Sequence, residues 1–116
     1  MRKPRAARLA AVRILFDQGV PLPLRRELPD VEIATAFRVG WSRLSNGDLL
    51  AAAETAGFGV LLTTDKNLRY QQNLVGRKIS IVVLPTTEWA EIRKHVNEVR
   101  AAISAAKPGS LNEVTW

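Results

Sequence analysis

The sequence predicts an α/β domain built on a mainly parallel sheet. Four short aliphatic or β-branched segments, each bounded by turn residues, alternate with helical ones. The last helix carries an apolar stripe at spacings of three and four. Alternation of this kind implies right-handed crossovers, parallel strands and helices on both faces of the sheet, a three-layer α/β/α sandwich. The 116 residues suffice to bury one core, and the absence of cysteine excludes a disulfide framework, a thiolate zinc site and a cysteine nucleophile.

The chain opens with a basic arm over residues 1–12, and the domain proper is expected over 13–106. RILF (Arg13–Phe16) is the first strand, followed by a short helix over 21–28 that Pro29 closes. Residues 31–36 form the second strand. Residues 47–56 form the clearest inner helix, with Ser45 or Asn46 as its cap and Gly57 as its stop. VLLT (Val60–Thr63) is the third strand, a turn or short helix follows Asp65, and 79–84 is the fourth strand. In the final helix Trp89, Ile92, Val96, Val99 and Ile103 share one face, Thr86 or Thr87 can cap it, and Lys107, Pro108 and Gly109 end it. Residues 107–116 remain as a tail that docks or frays. No repeat or linker divides the chain.

Seventeen Lys and Arg against eleven Asp and Glu give a net charge of +6, which favours a polyanionic partner. Arg2, Lys3, Arg5, Arg8 and Arg13 all precede the first acid, so the rest of the chain is nearly balanced. The arm reads equally as an RNA-contacting tail or a solvated one. No apolar run approaches the roughly 18 residues of a membrane span, and no secretory signal stands at the N-terminus, so a cytoplasmic protein without membrane attachment is expected.

In open α/β sheets the ligand crevice lies beyond the carboxyl ends of the strands. Asp17 follows the first strand there and Asp65 follows the third, while Asp48 opens the inner helix. Singly, each acid also has a structural role available, as a turn residue or at the positive end of a helix. Together they are a candidate metal site, because clustered carboxylates repel one another unless a cation lies between them. All-oxygen ligation suits Mg²⁺ or Mn²⁺, which can polarise a phosphodiester and activate a water for hydrolysis. Two other α/β chemistries lose a required carboxylate. A phospho-acceptor receiver domain needs adjacent acids, but Gln18 follows Asp17, and a haloacid dehalogenase type of phosphatase needs Asp-x-Asp, but Gly19 stands second.

The segments ILFDQGVP, GWSRLSNGDLLAAAETAGFGVLLTTDKNLRYQQNL and ISIVVLP, in this order, resemble the PIN-like domains, specifically the compact VapC-type toxins of bacterial toxin–antitoxin modules. The likeness runs from about Arg13 to Leu84, and TTDKNLRYQQNL is its most specific part. It implies a PIN-like sandwich, an acidic Mg²⁺ or Mn²⁺ site and an endoribonuclease toxin restrained by an antitoxin. It also implies a homodimer or a toxin–antitoxin hetero-oligomer. Asp17, Asp48 and Asp65 match the family's acids and would be both catalytic and metal-binding. Where a fourth acid often follows, this chain has Asn67, which puts a second metal and robust catalysis in doubt.

Lys66, Asn67, Arg69, Tyr70 and Gln72 are the substrate-binding candidates, with cations for phosphate, Tyr70 for stacking and Gln72 for a base edge. An exposed helical turn is the competing reading of that segment. His95 lies off the apolar stripe and reads as a solvated residue, and Glu32 and Glu54 read as structural or exposed. Trp41 and Trp116 are candidate antitoxin contacts. The alternative function is a PIN-like module that binds protein or RNA without cutting. A DNA nuclease is a third reading, since no base-reading motif separates RNA from DNA.

Overall fold

A computed structural model describes residues 12–68 and 74–116. Five parallel strands form one sheet: β1 (Arg13–Phe16), β2 (Glu32–Thr35), β3 (Val60–Thr63), β4 (Ser80–Val83) and β5 (Leu111–Glu113). Their order is β2-β1-β3-β4-β5. Ile14 lies opposite Ile33 on one side and Val60 on the other, and Val60 lies opposite Ser80 in turn. Among the described residues the helices are α1 (Asn46–Thr55), α2 (Trp89–Ile92) and α3 (Val96–Ala105), with 3-10 segments at Leu22–Glu27 and Arg93–His95.

Successive side chains of a strand point to opposite faces, so each strand feeds two cores. Ile14, Phe16, Val60, Leu62, Val82 and Leu84 pack against Leu24, Leu28, Ile92, Val99 and Ile103 on one face. Leu15, Leu61, Ile81 and Val83 pack against Leu49, Leu50 and Ala53 of α1 on the other. Strands buried on both faces are why these segments read as continuous apolar runs rather than as alternating ones. The sheet is therefore covered by helical segments on both sides, as the alternation of elements predicts.

Several expectations change in detail. Residues 21–28 close with i to i−3 bonds, Leu24 N to Pro21 O and Leu28 N to Arg25 O, at 3.1 and 3.2 Å. The expected short helix is thus a 3-10 segment, with Pro21 at its cap and Pro23 in its first turn. Ser45 is the cap of α1, its Oγ accepting from Asp48 N at 3.3 Å. Gly57, at φ +91, leaves the helix in a conformation that a β-carbon would oppose. The final helix is interrupted at Arg93–His95, where His95 has φ −127. Thr86 accepts from Glu88 N at 3.0 Å just before α2, and Glu88 occupies the cap position.

The tail expected over 107–116 contains β5, which pairs with β4 through Ile81 and Leu111. His95 is also not simply solvated, since it stacks on Trp116 with ring centroids 4.4 Å apart. Among the described residues no helix is long and apolar enough to cross a membrane.

Glu32 and Glu54 both have structural partners. Glu32 pairs with Arg13 at 2.8 Å on the surface, and Arg13 also reaches Ala56 O at 2.6 Å and lies over the Phe58 ring. Glu54, at the end of α1, accepts from Lys78 N at 2.6 Å, from Ile79 N at 3.4 Å and from Arg77 at 3.0 Å, fixing the entry to β4. The Lys78 amide foremost, with the Ile79 amide and Arg77, holds the Glu54 carboxyl below its ordinary range against partial desolvation. Arg100 does the same to Asp30, with which it forms hydrogen bonds at 2.9 and 2.8 Å.

Carboxyls with lowered folded values bind fewer protons in the folded state than in the unfolded one. Their contribution is therefore complete at neutral pH and is lost as pH falls through the folded values. Thermal midpoints should decline below about pH 4. Glu54→Gln should lower the neutral-pH midpoint and flatten that decline, which a melting series across pH measures.

Candidate functional site

The first helical crossover after β1 leaves toward the Leu24 and Leu28 face, and the segment after β3 leaves toward the face that holds Leu68. The gap between β1 and β3 is therefore where the topology opens a crevice at the carboxyl edge of the sheet. Asp17 follows β1 directly and extends its ladder, with Asp17 N donating to Leu62 O at 2.9 Å. Asp65 lies two residues beyond β3. Both are half-buried.

Thr63, fully buried at the end of β3, joins them. Its hydroxyl donates to Asp17 Oδ2 at 2.8 Å and accepts from Asp65 N at 3.1 Å. Gln18 N donates to Asp17 Oδ1 at 2.8 Å. Asn67 N donates to Asp65 Oδ1 at 2.9 Å, and Asn46 Nδ2 donates to Asp65 Oδ2 at the same distance. Among the described residues each of the four carboxylate oxygens thus has one donor. A carboxylate offers about four acceptor positions, so each oxygen retains one for a cation or a water. These donors fix the two side chains and offset their mutual repulsion.

Close packing shapes the turn between Asp17 and Val20. A β-carbon at Gly19 would run into Thr64 Oγ1 and stand 3.7 Å from Thr87 Cγ2. Glycine lets this turn lie against the segments after β3 and β4. Beside Asp17 a cleft of about 430 Å³ is lined by Phe16, Gln18, Val20, Leu22, Thr35 and Phe37. Leu22 and Phe37 are 62% and 76% exposed at its mouth, an apolar rim next to a carboxylate.

Asp48 takes a different place. It is exposed on the first turn of α1, with its backbone amide committed to the Ser45 cap. Among the described residues no group of three or more His, Asp or Glu is placed to hold a metal ion. The structure thus links Asp17 with Asp65 and leaves Asp48 outside that set. Asn46, two residues earlier on α1, is the side chain that reaches Asp65. A pair of carboxylates still fits Mg²⁺, which usually takes one or two and completes its shell with water and substrate oxygens.

Of the substrate-binding candidates, Lys66 is exposed and lines a second cleft of about 190 Å³ with Val83, Leu84, Pro85, Glu113, Val114 and Thr115. Asn67 contributes its backbone amide to Asp65, and its side chain is exposed. Arg69, Tyr70 and Gln72 lie outside the described residues, as does the arm before Val12. Trp41 packs edge-on against Phe58 at 6.2 Å, and Trp116 covers His95. The residues missed from sequence are Thr63 and Asn46. The paired threonines of VLLTT were the available signal for the first, and nothing in the pattern marked the second. No family model, curated protein or solved structure matches the chain.

Proposed function

We propose that this chain is a Mg²⁺- or Mn²⁺-dependent endoribonuclease of the PIN-like, VapC-type class, acting in the cytoplasm as a toxin that an antitoxin restrains. The observation that carries the reading is the linkage of Asp17 and Asp65 through Thr63 at the β1 and β3 ends, beside an open cleft. The ordered likeness of the segments around Asp17, Asp48 and Asp65 supports it as well. Asp17 and Asp65 would hold the ion, and Asp48, exposed on the first turn of α1, would lie outside that pair. Bound there, the ion would supply positive charge to the phosphodiester and would lower the pKa of a water so that it loses a proton and becomes nucleophilic.

The chain's own groups do the positioning. Thr63 orients Asp17, while Asn46 and the Asn67 amide orient Asp65, so neither carboxylate must reorganise when a cation arrives. The apolar rim of Leu22 and Phe37 offers a surface on which an unpaired base can lie. One observation favours the alternative, a module that binds RNA or protein without cutting. Among the described residues no third acid completes a metal-holding group with the pair, and the position two residues after Asp65 is the neutral Asn67.

The two readings separate in one assay. Purified protein is incubated with a mixed single-stranded RNA pool in Mg²⁺, Mn²⁺ or EDTA. The enzyme reading expects cleavage in metal alone, together with a raised melting midpoint in millimolar Mn²⁺. Absence of both, with cleavage appearing in Asn67→Asp, would make the natural chain a binding module.

A further inference from the structure

We propose that a second surface, the basic groove between the 3-10 segment Leu22–Glu27 and the α2 region, binds the backbone of a single-stranded polynucleotide. The groove has a volume of about 510 Å³ and is lined by Pro23, Arg26, Glu27, Trp89, Arg93 and Lys94. Three cations and one carboxylate line it. Its walls are held in place: α2 packs on the 3-10 segment, and Arg100 ties α3 to the end of that segment through Asp30 and Glu27 O.

Arg100 is thereby committed to structure, but its neighbours are not. Arg26 and Arg93 are exposed, and among the described residues neither forms an ion pair. Lys94 has a loose surface partner in Glu91 at 3.9 Å, which holds it weakly. Trp89 is half-buried against the core and lines the same groove as these cations.

An indole in the same groove as guanidinium and ammonium groups suits the flat bases and charged phosphates of a single strand. A duplex keeps its base faces stacked inside and would leave Trp89 without a role. An acidic peptide would satisfy the cations but not the flat aromatic surface. Pro23 and Trp89 start their segments near the carboxyl edge of the sheet, and the Asp17 turn lies against Thr87, two residues before Trp89. A strand in the groove would therefore approach the aspartate edge from one end, while its retention requires no cleavage.

The test is fluorescence anisotropy with labelled oligouridylate, oligodeoxythymidylate and an RNA duplex of equal length. The protein is the full chain carrying Asp17→Asn, so that cleavage does not enter. Arg26→Ala with Arg93→Ala should weaken single-strand binding at least tenfold. The salt slope should lose roughly 0.7 in magnitude for each phosphate contact removed. Both residues are exposed, so an unchanged melting midpoint verifies the fold. Equal loss for the RNA and DNA strands assigns the groove to the shared backbone and base chemistry, and a larger loss for RNA adds recognition of the 2′-hydroxyl.

An unaltered affinity and slope would overturn the proposal, as would duplex binding of equal strength. Binding of oligoglutamate with the same arginine dependence, without oligonucleotide binding, would overturn it in favour of an acidic protein partner. Absence of metal-dependent cleavage by the wild-type chain leaves this binding result untouched, so failure of the nuclease reading and failure of the groove are distinguishable.

Discussion

Asp17→Asn and Asp65→Asn should each reduce metal-stimulated RNA cleavage by about a thousandfold, equivalent to roughly 4 kcal/mol of lost transition-state stabilisation. Asparagine keeps the shape and one acceptor oxygen but not the charge, so the fold should survive while affinity for a divalent cation falls. RNA binding should persist, since removing a negative charge does not weaken attraction to phosphate. Asp48→Asn should reduce cleavage by a smaller factor, because Asp48 is exposed on α1 and outside the set linked by Thr63. Single-turnover rates across a Mn²⁺ titration give this ranking. An equal loss in Asp48→Asn would mean that Asp48 joins the pair when metal binds, and full activity in Asp17→Asn would remove the proposed site.

Leu61→Ala should cost about 2 to 5 kcal/mol of folding stability. Leu61 is fully buried in β3, in the middle of the sheet, and packs in the cluster that contains Leu15, Leu50 and Ile81. The strands on either side are hydrogen-bonded to β3 and hold the backbone in place, so little collapse can fill the space left by the side chain. Against a total of about 5 to 15 kcal/mol for a domain of this kind, the loss is severe. The melting midpoint should fall by roughly 10 to 20 °C. Leu22→Ala, at a residue 62% exposed, should stay within about 0.5 kcal/mol of the parent. Urea titrations of both variants measure the contrast, and a small effect at Leu61 would mean that the face against α1 is loosely packed.

The elements most legible in the sequence were those whose pattern is set by burial. RILF and VLLT lie in the middle of the sheet and are apolar on both faces, so their position and parallel sense followed from composition and from the helices between them. Ser45 and Gly57 bounded α1 because cap and stop chemistry is local. The edge strand β5 was not legible. Leu-Asn-Glu has no β-branched residue and no fully buried position, and its identity as a strand comes from the free edge of β4 beside it. The same distinction holds at the site. The positions of Asp17 and Asp65 after their strands could be read directly, whereas the bridging role of Thr63 depends on register between β1 and β3. Asn46 and Asp48 differ by two residues on one helix turn, and which of them reaches Asp65 is decided by the rotation of α1 against the sheet.

The adjacency of β1 and β3 also bears on how the chain acquires its chemistry. These strands are neighbours in space but are separated in sequence by the whole of β2 and α1. Pairing them requires a long loop to close before any contact rewards it, which places the domain among slow, non-local folders. Asp17 N is bonded to Leu62 O and the Asp17 carboxylate to Thr63, so the acidic pair comes into being in the event that zips the centre of the sheet. A nascent or partly opened chain has its acids far apart. If the edge is a nuclease centre, folding itself is its first safeguard, and the cell meets the activity only as a finished sheet.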